Sequence, residues 1–197
     1  MTDPGTPVPH GTPLDPARER LLAALSALVP ADAAESRHRD ATLDLVRSEP
    51  ECFSRKTFTP GHVVGSAFIL HPPTRRVLLH FHRRLGRWLQ MGGHDDGERD
   101  ALATALREGR EESGLPDLVL LSEAILDVDV HPIPAGKGEP AHLHFDIRWA
   151  FVTSRPGDIL RDDAESAALE WLGIEEAAAR MDEPGARRAL GKIAGQV

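Results

Sequence analysis

Residues 92–115 read GGHDDGERDALATALREGREESGL, and the reading of the whole chain turns on them. Residues 100–113 have the periodicity of a helix, which Gly114 is placed to end. At 3.6 residues per turn Glu108 and Glu112 stack one turn apart, with Glu111 beside them. Three like charges so close repel one another in water. They become favourable together around a hard divalent cation, because Mg²⁺ and Mn²⁺ take carboxylate oxygens. Ala101, Leu102, Ala105 and Leu106 give the same helix an apolar stripe, so it can pack on a sheet with its carboxylates along one edge. Upstream, Gly92-Gly93 allows close backbone approach, including a carbonyl aimed at a metal. An isolated glutamate cluster would read as a solvated face partnered by Arg107 and Arg110. The glycine pair on one side and the glycine stop on the other favour a site.

Working outward, His62–Leu70 and Val77–Phe81 read as strands joined by the turn HPPTRR, a hairpin ahead of the helix. Trp88–Met91 reads as a short strand ending in the glycine pair. After the helix, Leu118–Val130 and Ala141–Val152 read as strands split by the loop HPIPAGKGEPAH, and Leu169–Leu172 as a short strand. An Ala- and Glu-rich segment from Ile174 predicts one or two closing helices. Strands on both sides of a central helix indicate an α/β or α+β domain with a mixed sheet. Before residue 60 the texture differs. Residues 1–13 are rich in Pro, Gly and Thr and read as a mobile tail. Asp15 can cap a helix that opens with Pro16 and carries Leu21, Leu22, Leu25 and Leu28. A second helix is expected from Ala33 to Arg47. Residues 14–58 are thus an N-terminal helical extension with too little apolar surface to fold alone, and residues 59–197 form the main domain.

The 197 residues are 41% hydrophobic, enough for a core. A net charge of −8 argues against a nonspecific duplex-DNA binder. The single cysteine, Cys52, excludes an intrachain disulfide and a Cys-based zinc site. No apolar run approaches the roughly 20 residues of a membrane span, and the first residues lack the pattern of a signal peptide. A soluble cytoplasmic protein with no membrane partner is the expectation.

The stretch from Gly93 resembles the Nudix box, Gly-x5-Glu-x7-Arg-Glu-U-x-Glu-Glu-x-Gly-U, with U a bulky aliphatic residue. Gly93, Arg107, Glu108, Glu111, Glu112, Gly114 and Leu115 match at the right spacings. Two positions depart. The first Glu of the box falls on Arg99, with Glu98 and Asp100 as the carboxylates that could take its place. The aliphatic position after Arg-Glu is Gly109, which should cost about 1 kcal/mol of helix stability relative to Ala. The resemblance implies a Nudix fold, an α/β/α sandwich with a mixed sheet, that hydrolyses a nucleoside diphosphate linked to another moiety with Mg²⁺ or Mn²⁺. It further implies metal ligation by Glu108 and Glu112 with help from Glu111 and the Gly93 carbonyl. Arg107 would orient the glutamates, and Glu111 would be the general base. Many members of the family are homodimers, and the N-terminal helices offer an interface.

A second constellation lies in AHLHFDI at residues 141–147. On a strand His142, His144 and Asp146 face one side and Leu143, Phe145 and Ile147 the other. The polar side is a candidate lining of the substrate cleft, for phosphate or a further metal; its plain alternative is a solvated strand face. His94 is placed near the site by its position after the glycines. His131 reads as a turn residue. His80, His82, Arg83, Arg84 and Arg87 form a basic patch that reads as a solvated hairpin end, and Trp88 and Trp171 read as core. Two rival functions share the fold. An isopentenyl-diphosphate isomerase needs a cysteine where Gly92 stands, and a non-catalytic nucleotide sensor does not need the box glutamates. Substrate choice would lie in loops such as residues 132–140, for which spacing offers no code.

Overall fold

The computed structural model describes residues 14–136, 138–161, 164 and 166–196, so the expected tail at 1–13 lies outside them. Helix α1 (Pro16–Ala27) opens where Asp15 accepts hydrogen bonds from the amides of Ala17 and Arg18. Helix α2 (Ala33–Ser48) opens where Asp32 accepts from the Glu35 amide. Capping of this kind satisfies amides that the first helical turn leaves without partners. Buried Arg18 closes the other end of α2 by donating to the carbonyls of Val46 and Arg47, both at 2.7 Å. Leu21, Leu25, Leu43, Leu45 and Val46 join Cys52 and Phe53 in the principal core, so the apolar faces of the extension are used within this chain. Burial pushes the Cys52 thiol up to about 12.

The main domain continues with β1 (Gly61–His71), a 3₁₀ turn at Pro72–Thr74, β2 (Arg76–His82), β3 (Arg87–Leu89), β4 (Met91–His94) and α3 (Ala101–Ser113). It ends with β5 (Val119–Leu120), β6 (Asp127–Ile133), β7 (His142–Val152), β8 (Ser166–Gly173), α4 (Ile174–Arg180) and α5 (Pro184–Ala194). The strands form one mixed sheet in the order β3-β2-β1-β7-β5, with β4 on β1, β6 on β7 and β8 on β2. Only β1 and β7 run parallel, in register from Gly61 against Leu143 to Leu70 against Val152. Alternation along β1 divides the core. Val63, Ala67 and Ile69 pack toward α1, α2 and α3, whereas Phe68 and Leu70 pack toward α4 and α5. The result is an α/β/α sandwich with a mixed sheet, preceded by two helices.

Three segments differ from the expectations. Trp88–Met91 is divided between β3 and β4, which pair with different strands. Leu118–Val130 is broken, because the chain leaves β7 after the Leu121 amide bonds Ala150 and returns where the Leu126 amide bonds Arg148. His131, Pro132 and Ile133 belong to β6, not to a loop, and face His144, Leu143 and His142. β6 pairs with β7 alone, and proline is tolerated on an edge strand because no neighbour needs its missing N–H.

Gly109 also has a physical reason. A Cβ there would lie 3.1 Å from the Ala67 Cβ and 3.2 Å from Leu118 Cδ1, so its absence lets α3 press onto β1. Restoring the box's aliphatic residue with Gly109→Leu is expected to destabilise the protein by about 1–3 kcal/mol through overpacking. Urea denaturation would show this as a lower midpoint at unchanged slope; a more stable variant would mean that the helix has room to spare.

A buried ionic network ties the two ends of the chain together. Fully buried Arg148 bonds Asp146 at 2.7 Å and reaches Asp127 at 3.4 Å and Asp129 at 3.7 Å. Arg188 of α5 bonds Asp127 through Nε at 2.7 Å, and Lys192 pairs with Glu35 of α2. Burial works against ionised Asp129, yet His131 and Arg148 hold its carboxyl well below the usual range. Among the described residues no helix is long and apolar enough to cross a membrane.

Candidate active site

The first turn of α3 is capped by Asp100, which accepts from the amides of Leu102 and Ala103. The helix stops at Gly114, whose φ of 73° suits the left-handed closing position. Between these ends α3 presents Glu108 and Glu112 to β4. The Gly92 amide donates to Glu112 Oε2 at 2.8 Å, and a Cβ on Gly93 would run into the Glu108 carboxylate. Gly93 thus makes room for the Glu108 carboxylate against β4, whereas a Cβ on Gly92 would meet Ser66 of β1. Glu112 is buried; its Oε1 is 4.0 Å from Nδ1 of His80, which in turn is 2.7 Å from Ser166 Oγ. Burial, reinforced by neighbouring His82, lowers His80 to about 4, so at neutral pH it faces Glu112 as a neutral imidazole.

Arg107 organises this corner. Its Nε donates to Glu98 at 2.6 Å and its Nη1 to Glu108 at 3.0 Å and Glu111 at 2.9 Å, while Nη2 donates to the His94 carbonyl at 2.7 Å. Burial opposes the charge, but the bond to Glu98 and the glutamates around it raise the guanidinium above its ordinary value. Of the two carboxylates flanking Arg99, Glu98 accepts from Arg107 and Asp100 caps the helix. Between them Arg99 adopts a φ of 51°, in the left-handed region. The Arg99 side chain points away, to Asp15 at 2.8 Å and the Pro50 carbonyl at 3.1 Å, fastening the N-terminal helices to the loop before α3.

A cleft of about 980 Å³ opens beside these carboxylates. Gly93, Arg107, Glu108 and Glu112 are among the residues that line it, together with His94, His142, His144 and Asp146. Glu111 is not on its wall; its side chain is 60% exposed and bonded to Arg107. Asp146 is buried and accepts from Arg148 at 2.7 Å and Gln90 at 3.4 Å, so it belongs to the ionic network as well as to the cleft. Arg83, Arg84 and Arg87 stand on the rim; the first two are exposed, and Arg87 pairs with Glu183 at 3.0 Å. The basic patch is thus a solvated hairpin end, as expected, and one that also borders the cleft.

Imidazoles crowd together here. His94 Nε2 is 3.2 Å from His144 Nε2. The His62 ring stands 5.1 Å from that of His94, 5.0 Å from His142 and 4.9 Å from His144, centre to centre. Burial first, then mutual repulsion, lowers His94 to about 4 and drives His144 lower still. His131, expected in a turn, stands 5.6 Å from His144 and 3.4 Å from Asp129. His62 escaped the sequence reading as a site residue. Its partners depend on the parallel pairing of β1 with β7, where His62 is opposite His144. A histidine opening an apolar strand was the available signal.

The chain matches the family described as NUDIX domain over residues 61–192. Among solved structures, a C. elegans Ap4A hydrolase in a binary complex superposes with a TM-score of 0.55 at 19% identity, covering 68% of this chain and 95% of that one. The E. coli dihydroneopterin triphosphate pyrophosphohydrolase gives 0.52 at 20% identity, covering 68% and 96%. A MutT protein from Methanosarcina mazei Go1 gives 0.52 at 15% identity, covering 68% and 93%. At these identities the likeness is one of fold. Comparison with curated proteins produced no significant match.

Proposed function

Because the chain belongs to the Nudix family of hydrolases acting on phosphoanhydrides, we propose that it is a metal-dependent pyrophosphohydrolase cleaving a nucleoside diphosphate linked to another moiety. The observation that carries this reading is the close seating of Glu108 and Glu112 on Gly92-Gly93, with Arg107 as their anchor. The donor set fits a hard cation: Glu108, Glu112 and the Gly93 carbonyl would hold Mg²⁺ or Mn²⁺, with Glu111 at the solvent side. When bound, the ion would neutralise phosphate charge and acidify a coordinated water. Arg107 orients Glu108 and Glu111 by donating to both. Exposed Glu111 is the carboxylate we assign to take the proton of the attacking water.

The cleft is of the size that nucleotide-like ligands fill. Arg83 and Arg84 on its rim offer the diphosphate a positive approach, and His94, His142, His144 and Asp146 are our candidates for contacting the remainder of the substrate. A panel of nucleotide sugars, ADP-ribose, dinucleoside polyphosphates and nucleoside triphosphates, read through phosphatase-coupled phosphate release, tests the reading. Turnover of at least one panel member is expected with Mg²⁺ or Mn²⁺, and its loss in excess chelator. Full turnover in chelator, or no turnover anywhere in the panel, would overturn it.

A further inference from the structure

The histidine wall is more than a polar lining. His62, His142 and His144 each offer a ring nitrogen, and the three nitrogens lie within 4.8 Å of one another. Two of the rings are already locked in one tautomer. His62 Nδ1 is 2.9 Å from the Thr57 carbonyl and His142 Nδ1 is 2.8 Å from the Pro140 carbonyl. A carbonyl only accepts, so in both rings Nδ1 carries the hydrogen and Nε2 keeps its lone pair. His62 is 1% exposed, and its Nε2 is buried without a hydrogen-bond partner. Burying an acceptor with nothing to accept from is unfavourable, and native structures seldom leave one so.

A backbone carbonyl behind each ring and a lone pair in front is the arrangement by which proteins orient histidine ligands to metals. Tetrahedral zinc with bonds of about 2.0–2.1 Å requires ligand nitrogens about 3.3 Å apart. The nitrogens of His62, His142 and His144, within 4.8 Å of one another, need draw together by no more than about 1.5 Å to reach that spacing. The donors are all imidazoles, which suit Zn²⁺ and its neighbours and not the oxygen-seeking Mg²⁺.

We propose that His62, His142 and His144 bind a borderline transition-metal ion, Zn²⁺ in the first instance, with His94 beside the set. This site is separate from the carboxylates of Glu108 and Glu112. His142, His144 and His94 line the cleft, so an ion held there would border the space where substrate would sit. A three-histidine ion with an open position can take an oxygen ligand, such as a phosphate or ribose hydroxyl. Its presence does not depend on the hydrolase reading, since none of its ligands is a box residue.

The test uses the full chain, stripped with chelator and dialysed. Zn²⁺ titration by calorimetry and metal analysis after gel filtration should give one retained equivalent. X-ray absorption at the zinc edge should show imidazole scattering from three or more histidines at the bond lengths above. His144→Gln should weaken Zn²⁺ more than about tenfold, the scale seen when even supporting residues of metal sites are lost. Glu112→Gln should bind Zn²⁺ as wild type does, while failing in Mg²⁺-dependent turnover if the hydrolase reading holds. If His144→Gln fails to fold by circular dichroism, the absorption spectrum of the wild type decides alone. Failure of the wild type to retain zinc, an oxygen-only coordination shell, or unchanged affinity in folded His144→Gln would overturn the proposal.

Discussion

Glu112→Gln is expected to lower turnover by more than about 100-fold, beyond the 10–100-fold that residues merely supporting a metal site are worth. The carboxylate is buried, and the Gly92 amide holds Oε2 at 2.8 Å. Glutamine keeps an oxygen that can accept that bond, so the backbone of β4 need not move. What it lacks is the negative charge that a divalent cation requires. The melting temperature without metal should therefore change little while kcat with Mg²⁺ collapses. A steady-state assay on the best panel substrate, paired with a melting curve, checks both halves. A rate near that of wild type would remove Glu112 from the proposed ligand set.

The largest effect on stability is expected from Arg148→Met. Methionine fills much of the same volume but leaves Asp127, Asp129 and Asp146 in the interior without their shared partner. Breaking a buried ion pair from one side costs about 3–5 kcal/mol. For a chain of this size that is a fall in melting temperature of roughly 6–20 °C. The sign with pH follows from the carboxyls. Asp129, held below its usual value against burial by His131 and Arg148, contributes stability above the ordinary carboxylate pKa that is lost as pH falls through the depressed value. Without Arg148 that contribution shrinks, and the stranded carboxyls find protonation easier than ionisation. The deficit against wild type should be widest near neutral pH and narrow toward pH 4–5, about the carboxylate range. Urea unfolding at both ends of that interval measures it. A loss of less than about 1 kcal/mol at neutral pH, or one of the same size throughout, would show that the network is not what holds β6 and β7 together.

What could be read from the chain follows the range of the interactions concerned. Asp15 as a cap, Gly114 as a stop and the stacking of Glu108 on Glu112 all depend on residues within a turn of one another. The common face of His142, His144 and Asp146 needed only the two-residue period of a strand. His62 could not be found that way, because its neighbours arrive through a pairing of segments some 80 residues apart. Glu98 and Asp100 could not be told apart until the bond from Arg107 to Glu98 was known, and a left-handed Arg99 leaves no mark in composition. Pro132 disguised His131 as a turn residue, since proline on an edge strand and proline in a loop look alike without the partner strand. Gly109 read as a defect of the helix, and only the nearness of Ala67 turns it into a requirement of packing.

The pairing of Glu35 with Lys192 joins residues 157 positions apart. On a ribosome adding about 5–20 residues per second, Glu35 is finished roughly 8–30 s before its partner exists. During that interval its carboxylate has no cation to meet in the interior and is better off in water, which keeps α2 from settling. The first segment made should then be among the last to dock, once α5 has left the exit tunnel. Stalled nascent chains of increasing length, probed by limited proteolysis, should show residues 33–48 becoming resistant only after Lys192 has emerged.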